Sequence, residues 1–155
     1  GDRPFVVLLV DDNAADRVLT GRALKRSQNN IDVRMAEDGE DALLYLRHEG
    51  RFSETGSSPT PDVILLDLNM PRLSGGEVLE QLHADPVLRL IPVIVLTSSE
   101  LDRDIVESYG LGANAYLVKP VTTDTFPTVM DALKQFWLRN DYVRRPKGTR
   151  PEEKP

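Results

Sequence analysis

Apolar residues fall along this chain in two alternating rhythms. Short unbroken runs, Val6 to Val10, Val63 to Leu66, Val93 to Leu96 and Tyr116 to Val118, carry no charged residue and are rich in β-branched side chains. Runs of that kind suit strands buried on both faces of a parallel sheet. Ile31 to Ala36 is a weaker and more polar strand, which suits an edge of the sheet. Between these runs the apolar positions recur every three or four residues, the spacing of helices with one buried face.

The helices have recognisable ends. Asn13 or Asp12 can cap the first, in which Ala14, Ala15, Val18, Leu19 and Leu24 form the apolar stripe, and Asn29-Asn30 closes it. Asp38-Gly39 opens a second helix with Ala42, Leu43 and Leu46 facing inward, and residues 51–61, with Ser, Thr, Gly and Pro, read as a loop. A third helix carries Val78, Leu79 and Leu82 and stops at Asp85-Pro86. Ser99 or Ser98 caps a fourth, with Leu101, Ile105, Val106 and Tyr109, which ends at Gly110 and Gly112. Asp124 can cap a fifth that tolerates Pro127 in its first turn and runs to about Arg139.

The order is therefore strand then helix, five times over. Such alternation predicts an α/β fold with a parallel sheet, helices on both faces and right-handed crossovers. One domain spans residues 5–139, and residues 140–155 read as a polar, solvated tail that holds Arg144, Arg145, Lys147 and Arg150.

Composition narrows the functions open to this fold. The chain has 155 residues, 28% of them charged, with a formal net charge of −6. That balance argues against a nucleic-acid-binding surface, which is normally basic. The absence of cysteine excludes thiol catalysis, cysteine-ligated zinc and a disulfide scaffold, and it fits a cytoplasmic setting. No apolar stretch approaches the roughly 20 residues of a membrane-spanning helix.

Each unbroken run ends on a reactive side chain. Asp11 and Asp12 follow the first, Asp67 the second, Thr97 the third and Lys119 the fourth. In open parallel sheets ligands gather outside the carboxyl ends of the strands, so these groups should converge on one edge. Three carboxylates there would repel one another, and a hard cation such as Mg2+ offsets that repulsion while leaving room for water and phosphate oxygens. A strand-end carboxylate is also a potential nucleophile for an acyl phosphate, with Lys119 and Thr97 able to bind phosphoryl oxygens. Asp67 is the hardest to explain as a simple cap, because it follows four apolar residues and a buried carboxylate needs a partner.

With those residues in view, the chain resembles the receiver domain of two-component response regulators over roughly Phe5 to Leu138. The motifs that carry the likeness are Leu9-Val10-Asp11-Asp12-Asn13, Leu65 to Pro71 with Gly75 following, Leu96-Thr97-Ser98, and Lys119-Pro120. The resemblance implies a flavodoxin-like (βα)5 three-layer sandwich with strand order 2-1-3-4-5. It makes Asp67 the phosphoacceptor, Asp12 a direct Mg2+ ligand, Asp11 a ligand largely through water, and the Asn69 backbone carbonyl a further ligand. Mn2+ or Ca2+ would take the same place in a crystal. Thr97 and Lys119 would sense the phosphoryl group, Tyr116 would act with Thr97 as the switch aromatic, and Asn69 and Ser99 would tune phosphoryl lifetime. Lys119-Pro120 should be cis. The phosphodonor would be a sensor histidine kinase docking on Ala15, Val18, Leu19 and Pro120, with no output domain attached to the receiver.

A longer loop after the second helix, the Asp85 to Pro92 entry to the third unbroken run, and Phe136-Trp137 resemble the single-domain regulators paired with bacterial phytochromes. The last helix carries more large apolar residues than one core stripe needs, which points to a homodimer whose interface includes Ile105, Tyr109, Phe136 and Trp137. Three other readings compete. A Mg2+-dependent phosphatase with an aspartyl nucleophile would want an acid two residues after Asp67, where Asn69 stands. A flavin-binding protein would want a phosphate loop where Asp11-Asp12 would repel it. A receiver-like module that never accepts phosphate would not need the full residue set.

Overall fold

The computed structural model describes residues 3–27, 30–54, 56–68, 75–100, 102 and 112–140. Strands β1 (Phe5–Val10), β2 (Ile31–Ala36), β3 (Val63–Asp67), β4 (Val93–Thr97) and β5 (Ala115–Val118) form one sheet, all pairs parallel, in the order β2-β1-β3-β4-β5. Helices α1 (Ala14–Ser27), α2 (Gly39–Arg47) and α3 (Gly75–Ala84) follow the first three strands, and a C-terminal helix covers Thr125–Asn140. The predicted fold class and strand order are both borne out. Leu101, Ile105, Val106 and Tyr109 of the fourth helical pattern lie outside the described residues. No helix among the described residues is long and apolar enough to cross a membrane.

The sheet divides the core in two. Leu8, Val10, Ile64, Leu66, Val93 and Val95 face α2 and α3, while Val7, Leu9, Val63, Leu65, Ile94 and Leu96 face α1 and the C-terminal helix. Successive residues of a strand point to opposite faces, so a strand covered on both sides must be apolar at every position. β3 and β4 are buried throughout, as their unbroken runs predict. β5 is half-buried along its length despite an equally apolar run, because it closes one edge of the sheet.

One local expectation is narrowed and two change. Asn13, not Asp12, caps α1, its Oδ1 accepting the Asp16 amide at 2.9 Å. The inward face of α1 is Thr20, Gly21 and Leu24, whereas Ala14, Ala15, Val18 and Leu19 face solvent. The segment read as a plain loop begins with a 3-10 turn, Gly50–Phe52. It buries Phe52 edge-on against Tyr45, ring centroids 5.0 Å apart, and pairs Arg51 with Asp41 at 2.7 Å.

α2 shows the cap chemistry its sequence suggests. Asp38 Oδ1 accepts the Asp41 amide at 2.8 Å, and His48 closes the helix in the left-handed conformation, φ 58°. Gly75 at the start of α3 is required by close approach. A Cβ there would lie 2.6 Å from Leu68 Cα and 2.7 Å from the Asp67 carbonyl oxygen, both immovable backbone atoms.

Candidate functional site

The strand register brings the predicted residues to one line. Val10 pairs with Leu66, Asp67 with Leu96, and Thr97 with Val118, so Asp11, Asp67, Thr97 and Lys119 end within about a residue of each other across the carboxyl edge. Alternation along the strands then sorts them by face. Asp11, Asp67 and Lys119 continue the positions of Val7 and Leu9, Val63 and Leu65, and Ala115 and Leu117, on the α1 side. Thr97 continues Val93 and Val95, and Tyr116 packs on that opposite face.

The three carboxylates meet. One oxygen each from Asp11, Asp12 and Asp67 lie within 4.8 Å of one another, with Asp12 exposed and the other two buried. Asp11 is 0% and Asp67 5% exposed, so both need compensation. Lys119 supplies part of it, its Nζ 2.9 Å from Asp11 Oδ2 and 3.5 Å from Asp67 Oδ2. Burial draws the Lys119 ammonium toward a lower pKa, but the contact with Asp11, the charge of Asp67 and a further contact with Asp16 outweigh it and hold the group above its ordinary value. It is a fixed cation at neutral pH.

Among the described residues, one ammonium in ion-pair range faces three carboxylates, which leaves the pocket negative. Asp11 Oδ1 accepts the Asn13 amide at 3.0 Å. Asp11 Oδ2, buried, is met by the Lys119 ammonium at 2.9 Å, with no other hydrogen-bond donor on it among the described residues. A spare carboxylate lone pair beside two more carboxylates is a donor set that fits a hard divalent cation. The Asn69 carbonyl, the further ligand implied by the resemblance, lies outside the described residues.

Thr97 is 1% exposed, and its hydroxyl donates to the carbonyls of Ser99 and Leu117 at 3.3 and 3.4 Å. Both are long bonds that a better acceptor would displace. Ser99, not Ser98, takes the capping role, its hydroxyl accepting the Asp102 amide at 3.1 Å. Tyr116 is half-buried against the cluster that holds Val95, and it pairs with Val95 across the sheet. Lys119-Pro120 is cis, as expected.

Some predicted surface residues are placed differently. Phe136 is 6% exposed and belongs to the core, which removes it from a free interface, while Leu138 beside it is 75% exposed. Ile105 and Tyr109 lie outside the described residues, and so does the Trp137 side chain. Val18 and Leu19 are 45% and 61% exposed. Leu19 lines a groove of about 250 Å3 with Asp16, Thr20, Lys119, Pro120 and Val121.

Sequence reasoning missed Asp16. Its Oδ2 accepts a hydrogen bond from Lys119 Nζ at 3.2 Å, across 103 residues of chain. The sequence offered little signal, since Asp16 reads as an ordinary acidic residue in the first turn of α1.

A profile of the response regulator receiver domain matches residues 7–131. The probable methanogenesis regulatory protein FilR2 of Methanothrix harundinacea is 40% identical over 87% of this chain and 84% of its own length. Response regulator Rcp1 of Synechocystis is 38% identical over 87% of this chain and 90% of its own. The crystal structure of the Mn2+-bound form of Rcp1 superposes with a TM-score of 0.65, covering 96% of this chain and 99% of that one. The bacteriophytochrome response regulator AtBRR superposes with a TM-score of 0.77 at 42% identity, over 87% of this chain and 96% of that one.

Proposed function

The chain belongs to the response regulator receiver family, and on that premise we propose that it is a single-domain response regulator of a two-component phosphorelay. It takes a phosphoryl group from a phosphohistidine of a sensor kinase onto Asp67. The observation that carries the reading is the convergence of Asp11, Asp12 and Asp67 with Lys119 Nζ at 2.9 and 3.5 Å from two of them.

The chemistry is a displacement at phosphorus. An Asp67 oxygen forms the new P–O bond as the P–N bond to the kinase imidazole breaks, and the electron pair returns to that nitrogen, which takes up a proton. Such transfer needs mainly positioning and charge neutralisation. Lys119 neutralises phosphoryl oxygens on the α1 side, and Thr97 can turn its hydroxyl from two weak carbonyl contacts to a phosphoryl oxygen. A Mg2+ ion held by Asp11, Asp12 and Asp67 would offset the remaining negative charge. The protein's own chemistry is limited to gaining and losing this group.

Output follows from Thr97 and Tyr116 sharing one face of the sheet. Withdrawal of Thr97 toward the phosphoryl group opens space beside Val95 into which the Tyr116 ring can turn, coupling a local charge event to a packing change. This reading is supported by the relatives FilR2 and Rcp1, of whose own lengths the chain spans 84% and 90%. A phytochrome kinase as donor is supported by the likeness to AtBRR. The exposed Val18 and Leu19, beside the groove that ends at Pro120, suit the apolar face of a kinase helix. A cytoplasmic setting and a homodimer through the C-terminal helix belong to the same proposal, the dimer now resting on Leu138 and not on Phe136.

Mixing the protein with a phosphorylated bacteriophytochrome kinase tests it. Transfer of label to wild type but not to Asp67→Asn is expected, with transfer lost in Leu19→Asp. Sedimentation of a dilution series that stays monomeric with and without a phosphoryl mimic would remove the dimer.

A further inference from the structure

Lys119 is shared among three carboxylates, and the one nearest solvent has no part in the site as the family resemblance describes it. Lys119 Nζ lies 2.9 Å from Asp11, 3.5 Å from Asp67 and 3.2 Å from Asp16. The contact to Asp16 is a hydrogen bond, and the closer one to Asp11 is an ion pair. The resting ammonium is therefore directed at α1 as well as at the sheet edge. We propose that Asp16 is a positioning residue that holds Lys119 partly off the phosphoacceptor in the resting protein and releases it when Asp67 carries a phosphoryl group. This rests on Asp67 being the phosphoacceptor.

Three features support the assignment. First, Asp16 is held in place. Its amide bonds to Asn13 Oδ1 at 2.9 Å, and neighbouring Arg17 fastens α1 to the end of β1 by donating to the Asp11 carbonyl at 2.7 Å. Second, the contact is easy to give up. The Asp16 side chain is 41% exposed against 0% for Asp11, so water readily replaces the ammonium at Asp16 but not at Asp11. Third, a phosphoryl group brings close to two negative charges and three acceptor oxygens next to Asp67, outcompeting one half-exposed carboxylate. The consequence is an exchange in which Asp16 lowers the affinity of the site for a phosphoryl group by the strength of the bond that must be broken.

The test is the affinity for beryllofluoride, a phosphoryl mimic, measured by 19F NMR at saturating Mg2+ in wild type, Asp16→Asn and Asp16→Glu. Asp16→Asn should bind the mimic about two- to five-fold more tightly, the size expected of one partly exposed ion pair. Asp16→Glu, which keeps the carboxylate, should return toward wild type. A crystal structure of the mimic-bound wild type should show Lys119 Nζ on the mimic and out of hydrogen-bond reach of Asp16. Unchanged or weaker binding in Asp16→Asn, or Lys119 still bonded to Asp16 with the mimic in place, overturns the proposal. Absence of mimic binding by wild type, or equal binding by Asp67→Asn, would instead remove the phosphoacceptor reading beneath it.

Discussion

Lys119 Nζ stands 3.5 Å from Asp67 Oδ2, from the loop just beyond an edge strand to the end of a buried one. A cation this close to a carboxylate that is 5% exposed stabilises the charged form of both. It also occupies space that a divalent cation would compete for. Lys119→Met should therefore bind Mg2+ roughly five- to tenfold more tightly, since a like charge a few Å away is removed. Titration calorimetry checks this, and weaker Mg2+ binding in the variant would show that Lys119 organises the carboxylates more than it opposes the metal.

Thr97 should be dispensable for acceptance of the phosphoryl group but not for its consequence. Thr97→Ala is expected to gain the group from a small phosphodonor while its affinity for beryllofluoride falls about tenfold, the loss of one hydrogen bond to a charged acceptor. The NMR signals of the Tyr116 ring, which shift in wild type, should stay where they are. Signals that still respond fully would separate Tyr116 from Thr97.

Gly75 joins fold to function. Any side chain there strikes the backbone of Asp67 and Leu68, the closest contact 2.6 Å from a Cβ. Gly75→Ala should cost roughly 1–3 kcal/mol of stability. Its phosphorylation rate should fall as the phosphoacceptor backbone is displaced. Urea unfolding together with the rate from a small phosphodonor reads both effects.

Much of this was legible in the chain before folding. Val63 to Leu66 and Val93 to Leu96 could be assigned with their terminal Asp67 and Thr97 because a strand covered on both faces has no room for polar alternation. Once order and direction followed, so did the convergence of the site. The inner face of α1 was legible only at Leu24. It packs through Gly21, where even a Cβ would meet Met35 Cε at 2.9 Å, so the contact depends on a missing side chain that apolar periodicity does not register. Val18 and Leu19 share the helical spacing of Leu24, so periodicity alone put them in the apolar stripe, while the family resemblance gave them to a docking surface; both are exposed. Phe136 was read as surplus because a count of large apolar residues cannot say which of them the sheet covers. Asp16 escaped notice because its partner is 103 residues away.

Tyr45 sets an alkaline limit on the fold. Its hydroxyl donates to the Pro59 carbonyl at 2.8 Å, and burial pushes its pKa up to about 12. The unfolded chain titrates near 10. Since the folded value is the higher, this stabilising term is complete below pH 10 and is lost as pH rises from about 10 to 12, by on the order of 2 kcal/mol. Tyr45→Phe should be less stable by about 1 kcal/mol at neutral pH through loss of the hydrogen bond. Its stability should then decline less than that of wild type over the alkaline window. Chemical denaturation from pH 8 to 12 measures the two slopes, and parallel slopes would contradict the assignment.

The central claim is that Asp67 accepts a phosphoryl group at a site built by Asp11, Asp12, Thr97 and Lys119. Intact-protein mass spectrometry after incubation with Mg2+ and acetyl phosphate tests it most directly. The account predicts that wild type gains the mass of one phosphoryl group, that chelation of the metal prevents it, and that Asp67→Asn gains nothing. A wild-type mass that does not change, or an equal gain in Asp67→Asn, would contradict it.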